Sequence, residues 1–387
     1  MSQPSPALVS SGAGYRSPDE RQLLLRFWRC ATGFWRGKSA AWAWTLTVML
    51  VATVVLQLLT QYFLNYWNRD FFNAVERKDG SELLTQAVRF LPLAAASLSL
   101  AVFSVWGRMT LQREWRAWLS DEVYRYWLER DRFVHLNEVA GDYQAPEYRI
   151  AEDGRLATDL PVDLTLGLIS SFMTAATFIG ILWIVGGSFP IEVAGLTLTI
   201  PGYLVVGVVA YSLIMAATTM LIGHRLTHVM EGNKRTEAEL RAIGTHLRES
   251  GENKSPPPNG PAGLRTIQTA LRAVITAWLK YCWQLMRLTA VTHTNSLLTP
   301  VIGLLLCTPK YVAGTMLLGE VVQATAAFVV VQGACSWFTD NYPRLAEWAA
   351  SANRVASLLL ALDDVDRCRA KDEGLRGRSA QTADFPE

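Results

Sequence analysis

Leu164 to Gly187 reads LTLGLISSFMTAATFIGILWIVGG, without one charged side chain, and this run decides the fold. The hydrocarbon core of a bilayer is about 30 Å thick, so a crossing segment needs roughly 20 largely apolar residues. It must also satisfy every backbone polar group within itself, which a helix does. Further stretches pass the same test: Ala41 to Tyr66 and Val193 to Gly223 carry no charge, and Phe90 to Gly107 is the shortest. Leu288 to Thr308 carries only His293, and Tyr311 to Phe338 carries only Glu320. Composition agrees, since half of the 387 residues are hydrophobic, only 18% are charged and 14 are Trp, a surplus of apolar surface for a soluble chain. An all-α membrane protein with six transmembrane helices is therefore expected.

Basic residues give the direction of threading, because Lys and Arg near span ends are retained in the cytoplasm. The N-terminus holds Arg16, Arg21, Arg26, Arg29, Arg36 and Lys38; Arg108 to Asp163 holds eight arginines, and His224 to Arg287 ten basic residues. The opposite side has Arg69, Arg77, Lys78, Arg89 and Lys310. Both termini and the long connections are expected in the cytoplasm, with short outer loops at Asn65 to Ser81, Ser188 to Glu192 and Pro309 to Tyr311. Leu111 to Leu136 and Arg225 to Arg248 are rich in helix formers, so the spans are expected to continue as long cytoplasmic helices. Tight outer hairpins with such extensions make a six-helix half, which predicts a homodimer. Breaks are expected at Gly141 to Pro146 and at Ser255 to Gly263, SPPPNGPAG. The domain reading is a polar tail over 1–26, the six-helix domain over 27–362, and a polar, aperiodic, disordered tail over 363–387.

Several functions are disfavoured. A net charge of +2 without a long basic run gives no reason to expect nucleic acid. The cysteines Cys30, Cys282, Cys307, Cys335 and Cys368 are odd in number and scattered, predicting neither a disulfide framework nor a zinc site. Gly33 to Ser39, GFWRGKS, is one residue short of a phosphate-binding loop and abuts a span. An interfacial anchor, with Phe34 and Trp35 at headgroup depth, is the preferred reading. No catalytic constellation or cofactor is expected. The apolar stretch from Ala41 is too long for a signal-peptide core and is expected to stay in the mature chain.

Several separated strings then carry a resemblance: LNYWNRDFFNAVERKD from Leu64, LQREWRAWLSDEVYRYWL from Leu111, APEYRIAED from Ala145 to Asp153, and IPGYLVV from Ile200 to Val206. IGHRLTHVMEGNKRTEAELR from Ile222, TPKYVAGTMLLGEVVQATAAF from Thr308 and WFTDNYPRLAEWAASANRV from Trp337 continue it. Together, over about Phe27 to Leu362, they resemble the SbmA/BacA-like branch of ABC-type membrane domains. The resemblance implies the ABC-exporter-type transmembrane fold and uptake of peptides, bleomycin-like compounds or vitamin B12. It is nearest to members in which an ATPase domain follows, and this chain stops where that domain would begin. A second departure is Arg248-Glu249-Ser250-Gly251-Glu252, where the family has the form REN-x-E-x-IA.

The resemblance also implies that short inner helices around Pro146, Glu147, Arg149, Glu152 and Asp153, and around Glu231, Arg235 and Glu237, touch an ATPase partner. Mixed charge at an inner tip suits a reversible interface; a solvated helix end is the bland alternative. Glu320 is an ionisable group at membrane depth, hence a candidate for proton or substrate contact, unless it faces water at the outer hairpin. His293 is a further proton or substrate candidate, histidine being the usual proton-handling side chain, or else a hydrogen-bonded structural histidine. Glu231, Glu237 and Glu239 complete the proton candidates. Asp70, Glu76 and Asp79 could attract a cation, but their alternation with Arg69, Arg77 and Lys78 predicts local salt bridging. Gln323, Thr325, Ser336, Asn295, Thr292 and Thr294 are polar enough to line a cavity or to bond between helices.

The expectation is a permease half in a bacterial inner membrane. It would move peptides or similarly large amphiphilic solutes by alternating access, driven by a separate ATP-binding subunit or by the proton gradient. A non-transporting scaffold or truncated remnant is the alternative.

Overall fold

The computed structural model describes residues 20–37, 39–136, 146–193, 196–252 and 260–382. Its elements are α1 (Glu20–Ala31), α2 (Ala40–Arg77), α3 (Gly80–Leu128), α4 (Arg132–His135), α5 (Pro146–Tyr148), α6 (Gly154–Gly186), β1 (Ser188–Val193), β2 (Leu196–Pro201), α7 (Tyr203–Glu252), α8 (Gly260–Val312) and α9 (Leu318–Thr382). Six helical stretches are long and apolar enough to cross a membrane, one on each of α2, α3, α6, α7, α8 and α9. The chain is thus an integral membrane protein of the expected helical class; the continuation of α7 is helical as expected, while that of α3 is helical only to Leu128, where Arg130 and Asp131 at positive φ interrupt it before α4.

Two compact units divide the chain. The first takes residues 1–57, 96–170 and 341–387. Its core sets Phe27 of α1 and Leu46 of α2 with Trp115 and Leu119 of α3, Ile150, and Leu358 of α9. Phe34 is buried there, with Trp35 packed edge-on to both Phe34 and Trp115. A Cβ at Gly33 would stand 2.6 Å from the Trp118 ring, so this glycine serves close helix approach.

The second unit takes residues 58–95 and 171–340. Phe178, Leu182, Leu204, Val208, Phe328 and Val331 form its centre. Gly207 and Gly303 let α7, α8 and α9 approach: a Cβ at Gly207 would sit 2.7 Å from Leu306, and one at Gly303 3.3 Å from Thr325.

Several boundaries differ from the sequence expectation. Asn65 to Arg77 is helix, not loop, and the turn into α3 is confined to Lys78 and Asp79. Two side-chain donors of that stretch find partners on packed helices: Asn65 Nδ2 donates to the Gln323 carbonyl at 3.1 Å, and the Trp67 indole N–H to the Gln86 carbonyl at 2.9 Å. Ser188 to Pro201 is an antiparallel hairpin rather than a loop followed by a span, so α7 starts only at Tyr203. The alternation Leu-Thr-Leu-Thr-Ile favours strand geometry. Gly187 and Gly202, both at positive φ, close its base through a 2.8 Å backbone bond.

Pro309 to Tyr311 lies in the last turn of α8 rather than in a loop. Of the break expected at Ser255 to Gly263, Gly260 to Gly263 open α8, while residues 253–259 lie outside the described residues. The turn expected from Gly141 also lies outside them as far as residue 145, and Pro146 opens α5, a position that suits proline. The tails are shorter than expected. α1 begins at Glu20 and buries Phe27. α9 continues through residue 363 to Thr382 instead of ending at Leu362. Charge pairing supports that continuation: Arg26 donates to Asp363 at 2.8 Å and Arg132 to Asp366 at 2.9 Å.

Candidate solute site

Between α7, α8 and α9 the second unit encloses a cavity of about 340 Å³. Ser212 and Thr219 face it from α7, Thr292 and Asn295 from α8, and Gln332, Ser336 and Asp340 from α9, with Met215 and Ala216 as apolar lining. Spacing explains the α9 contribution: Gln332, Ser336 and Asp340 recur every fourth residue, which places them on one face of a helix. Asn295 is positioned by its neighbours, its Oδ1 accepting the Tyr211 hydroxyl at 2.9 Å and lying 3.2 Å from the Thr299 hydroxyl. The Ser336 hydroxyl donates to Asp340 Oδ2 at 3.0 Å. Ser212 is 7% exposed and its hydroxyl has no partner among the described residues. Gln332 is equally buried. Buried polar groups are nearly always bonded, so such groups around an open volume are arranged to meet something that enters it.

Of the polar residues expected to line a cavity, the structure brings Thr292, Asn295 and Ser336 together. Gln323 is instead wholly buried in the core of this unit, its side-chain amide unpaired, and Thr325 packs where α8 and α9 touch. Thr294 and His293 are exposed on α8. Ser212, Gln332 and Asp340 escaped the sequence reading. The four-residue rhythm on α9 was the available signal, and Asp340 lies just beyond the expected end of its span at Phe338.

Glu320 lies at the start of α9, where Glu320 Oε2 accepts the Leu317 N–H at 2.9 Å. The next N–H groups go to Glu76 and Asn73, at 3.1 and 2.9 Å. The orphan donors of this helix start are thereby satisfied, and the acidic charge matches the positive end of the helix dipole. Asp79 does the same for α3, its Oδ1 accepting from the N–H of Ser81 and of Glu82, each at 3.1 Å. The Ser81 hydroxyl, followed by those backbone bonds, holds the Asp79 carboxyl below its ordinary range. Asp70 is paired with Arg69 at 2.9 Å.

The residues proposed to touch an ATPase fall in both units. In the first, Pro146 is half-buried and Glu147 exposed. Arg149 Nη1 lies 3.4 Å from the Ser357 hydroxyl, Glu152 pairs with Arg155 at 2.7 Å, and Asp153 pairs with Arg354 at 2.7 Å. Asp153 is thus largely enclosed, while Glu147 is free to meet a partner. In the second unit Glu231 is exposed on α7, Arg235 pairs with Glu239 at 3.2 Å, and Glu237 accepts from Asn233 at 3.4 Å.

Comparison with known proteins gives this architecture a lineage. Residues 35–312 match the family model described as ABC transporter transmembrane region 2. The chain is 27% identical over 351 residues to the inner membrane ABC transporter ATP-binding protein YddA of Escherichia coli, covering 87% of this chain and 60% of that protein. An uncharacterized ABC transporter ATP-binding protein of Synechocystis is 25% identical over 252 residues, 64% of this chain and 36% of that one. ABC transporter D family member 2, chloroplastic, of Arabidopsis thaliana is 20% identical over 355 residues, 90% of this chain and 47% of that one. The chain therefore spans between about a third and three fifths of these relatives' lengths.

Proposed function

The chain belongs to the ABC transporter transmembrane region 2 family, and from that premise we propose that it is the membrane-crossing part of an ATP-driven solute transporter. The observation that carries this reading is the cavity between α7, α8 and α9, polar on three helices within otherwise apolar walls. Such a volume accepts an amphiphile, and alternating access to it moves the solute across. A peptide or similarly sized amphiphilic molecule is the proposed cargo, in keeping with the SbmA/BacA-like strings. The basic flanks favour both termini in the cytoplasm, and a bacterial inner membrane is the proposed location.

ATP is the proposed drive because two of the three relatives above carry ATP-binding in their names. The local bonds of Glu320 and Glu239 weigh against their service as mobile proton carriers. The ATP-hydrolysing domain would dock through exposed Glu147 in one unit and Glu231 in the other. A homodimer is proposed to complete the pathway. Trp278, Leu279 and Trp283 of α8, each more than half exposed beyond the expected fifth span, offer apolar surface for a second copy.

Reconstitution tests the whole reading. Purified protein in liposomes, with its ATP-binding domain supplied, is expected to take up a labelled peptide only when ATP is present. Uptake driven by a pH gradient without nucleotide would replace ATP with protons. Silence under both conditions would favour the non-transporting scaffold or remnant.

A further inference from the structure

We propose that Asp340 anchors a cationic group, a primary ammonium or a guanidinium, on the transported solute; this deepens the transport reading and rests on it. The cavity lining contains one carboxylate and no basic side chain. Asp340 is exposed, so a ligand can reach it, and its partner among the described residues is the Ser336 hydroxyl rather than a cation. Arg344, the next basic residue along α9, is committed to Asp163 at 2.8 Å. Asp340 thus presents a negative charge to the cavity with no cation against it among the described residues, and an entering ammonium would gain a charge-assisted contact there.

The remaining lining suits such a guest. Ser212 Oγ, nine-tenths buried and without a hydrogen bond among the described residues, and the amide oxygen of the equally buried Gln332 can accept from an N–H. Met215 and Ala216 supply apolar contact for an attached hydrocarbon chain. A volume of about 340 Å³ holds one or two side chains, so the cavity would read a residue of a longer molecule. Phosphate- or carboxylate-bearing solutes find no positive group here.

The experiment measures binding to the purified full chain in lipid nanodiscs by fluorescence anisotropy. The probes are a dansylated pentapeptide of alternating leucine and lysine and the same peptide with its lysines acetylated. A charge-assisted contact is worth about tenfold in affinity, which is the expected preference for the lysine form. Asp340→Asn is expected to bring the two affinities within about twofold of each other, and Asp340→Glu to keep the preference. An unchanged ratio in Asp340→Asn, no preference in the unaltered chain, or no binding of either peptide overturns the proposal. Should Asp340→Asn fail to fold, displacement on the unaltered chain decides: cadaverine is expected to release the bound lysine peptide and glutarate not, and the reverse overturns the proposal. The expected binding pattern without ATP-dependent uptake would support the cation site while sinking the transport reading, so the two failures are separable.

Discussion

At the residue scale, one buried carboxylate is held by an arginine 201 positions away along the chain. Arg354 reaches Asp153 Oδ1 through both Nε and Nη2, at 2.9 and 2.7 Å, while the carboxylate is 4% exposed and the guanidinium 47% exposed. Removing the guanidinium leaves a buried carboxylate unpaired. Because Arg354 is half in solvent, the cost of Arg354→Ala is discounted to about 1–3 kcal/mol, readable as a lower unfolding midpoint by circular dichroism in detergent. Asp153→Asn is expected to lose less, and Glu147→Ala to leave the midpoint unchanged while weakening capture of the ATP-binding domain. Asp79 makes a prediction about pH. Its folded pKa lies below the ordinary 3.8, so its contribution is fully present above that value and fades as pH falls through the folded one. The stability gap between the native chain and Asp79→Ala should therefore be constant from neutral pH to about 5 and shrink below about 4; a gap independent of pH would show that the carboxylate charge is not what caps α3.

At the element scale, the helices were legible where apolar length alone decides them and illegible where a specific partner does. Leu164 to Gly187 and Ala41 to Tyr66 announce themselves by length and lack of charge. The helical identity of Asn65 to Arg77 depends instead on the carbonyls of Gln323 and Gln86 waiting on neighbouring helices, information absent from the stretch itself. The second strand, Leu196–Pro201, was absorbed into the span expected from Val193 because it carries no charge and runs on into the apolar start of α7. The continuation of α9 past Leu362 has no apolar period, and its support comes from arginines more than 200 positions away. The start of α9 yields a prediction at this scale. A Cβ at Gly319 would overlap the Arg69 carbonyl and the Asn73 amide oxygen, where Gly319 N–H already donates to Asn73. Gly319→Ala should cost about 1–3 kcal/mol through forced separation of α2 from α9. Gly314→Ala, with open space but φ of +71°, should cost about 1 kcal/mol from backbone strain alone. Thermal unfolding of the pair ranks them, and the reverse order would contradict the close approach.

At the scale of the whole molecule, the candidate site was half legible. Thr292, Asn295 and Ser336 stood out as polar residues on apolar helices, whereas Gln323, equally polar, turned inward to the core. Nothing in the sequence distinguishes them, because rotation of a helix within its unit sets which face meets a cavity. Threading direction, by contrast, is a prediction from the basic flanks, and the length of α7 says which residues can report it. α7 has 50 residues, about 75 Å at 1.5 Å per residue, more than twice the hydrocarbon thickness of about 30 Å. Glu231 is 28 positions after Tyr203, hence about 42 Å along the helix, so it must stand in water on the side opposite the α7 start. The basic residues from Arg225 onward predict that this side is the cytoplasm and the turn at Lys78 the outside. In a cysteine-free background, Lys78→Cys is expected to react with a membrane-impermeant maleimide on intact cells, and Glu231→Cys only after the membrane is opened. Labelling in the opposite order would invert the topology, moving the docking face of the proposed ATP-hydrolysing domain to the side where no ATP is available to it.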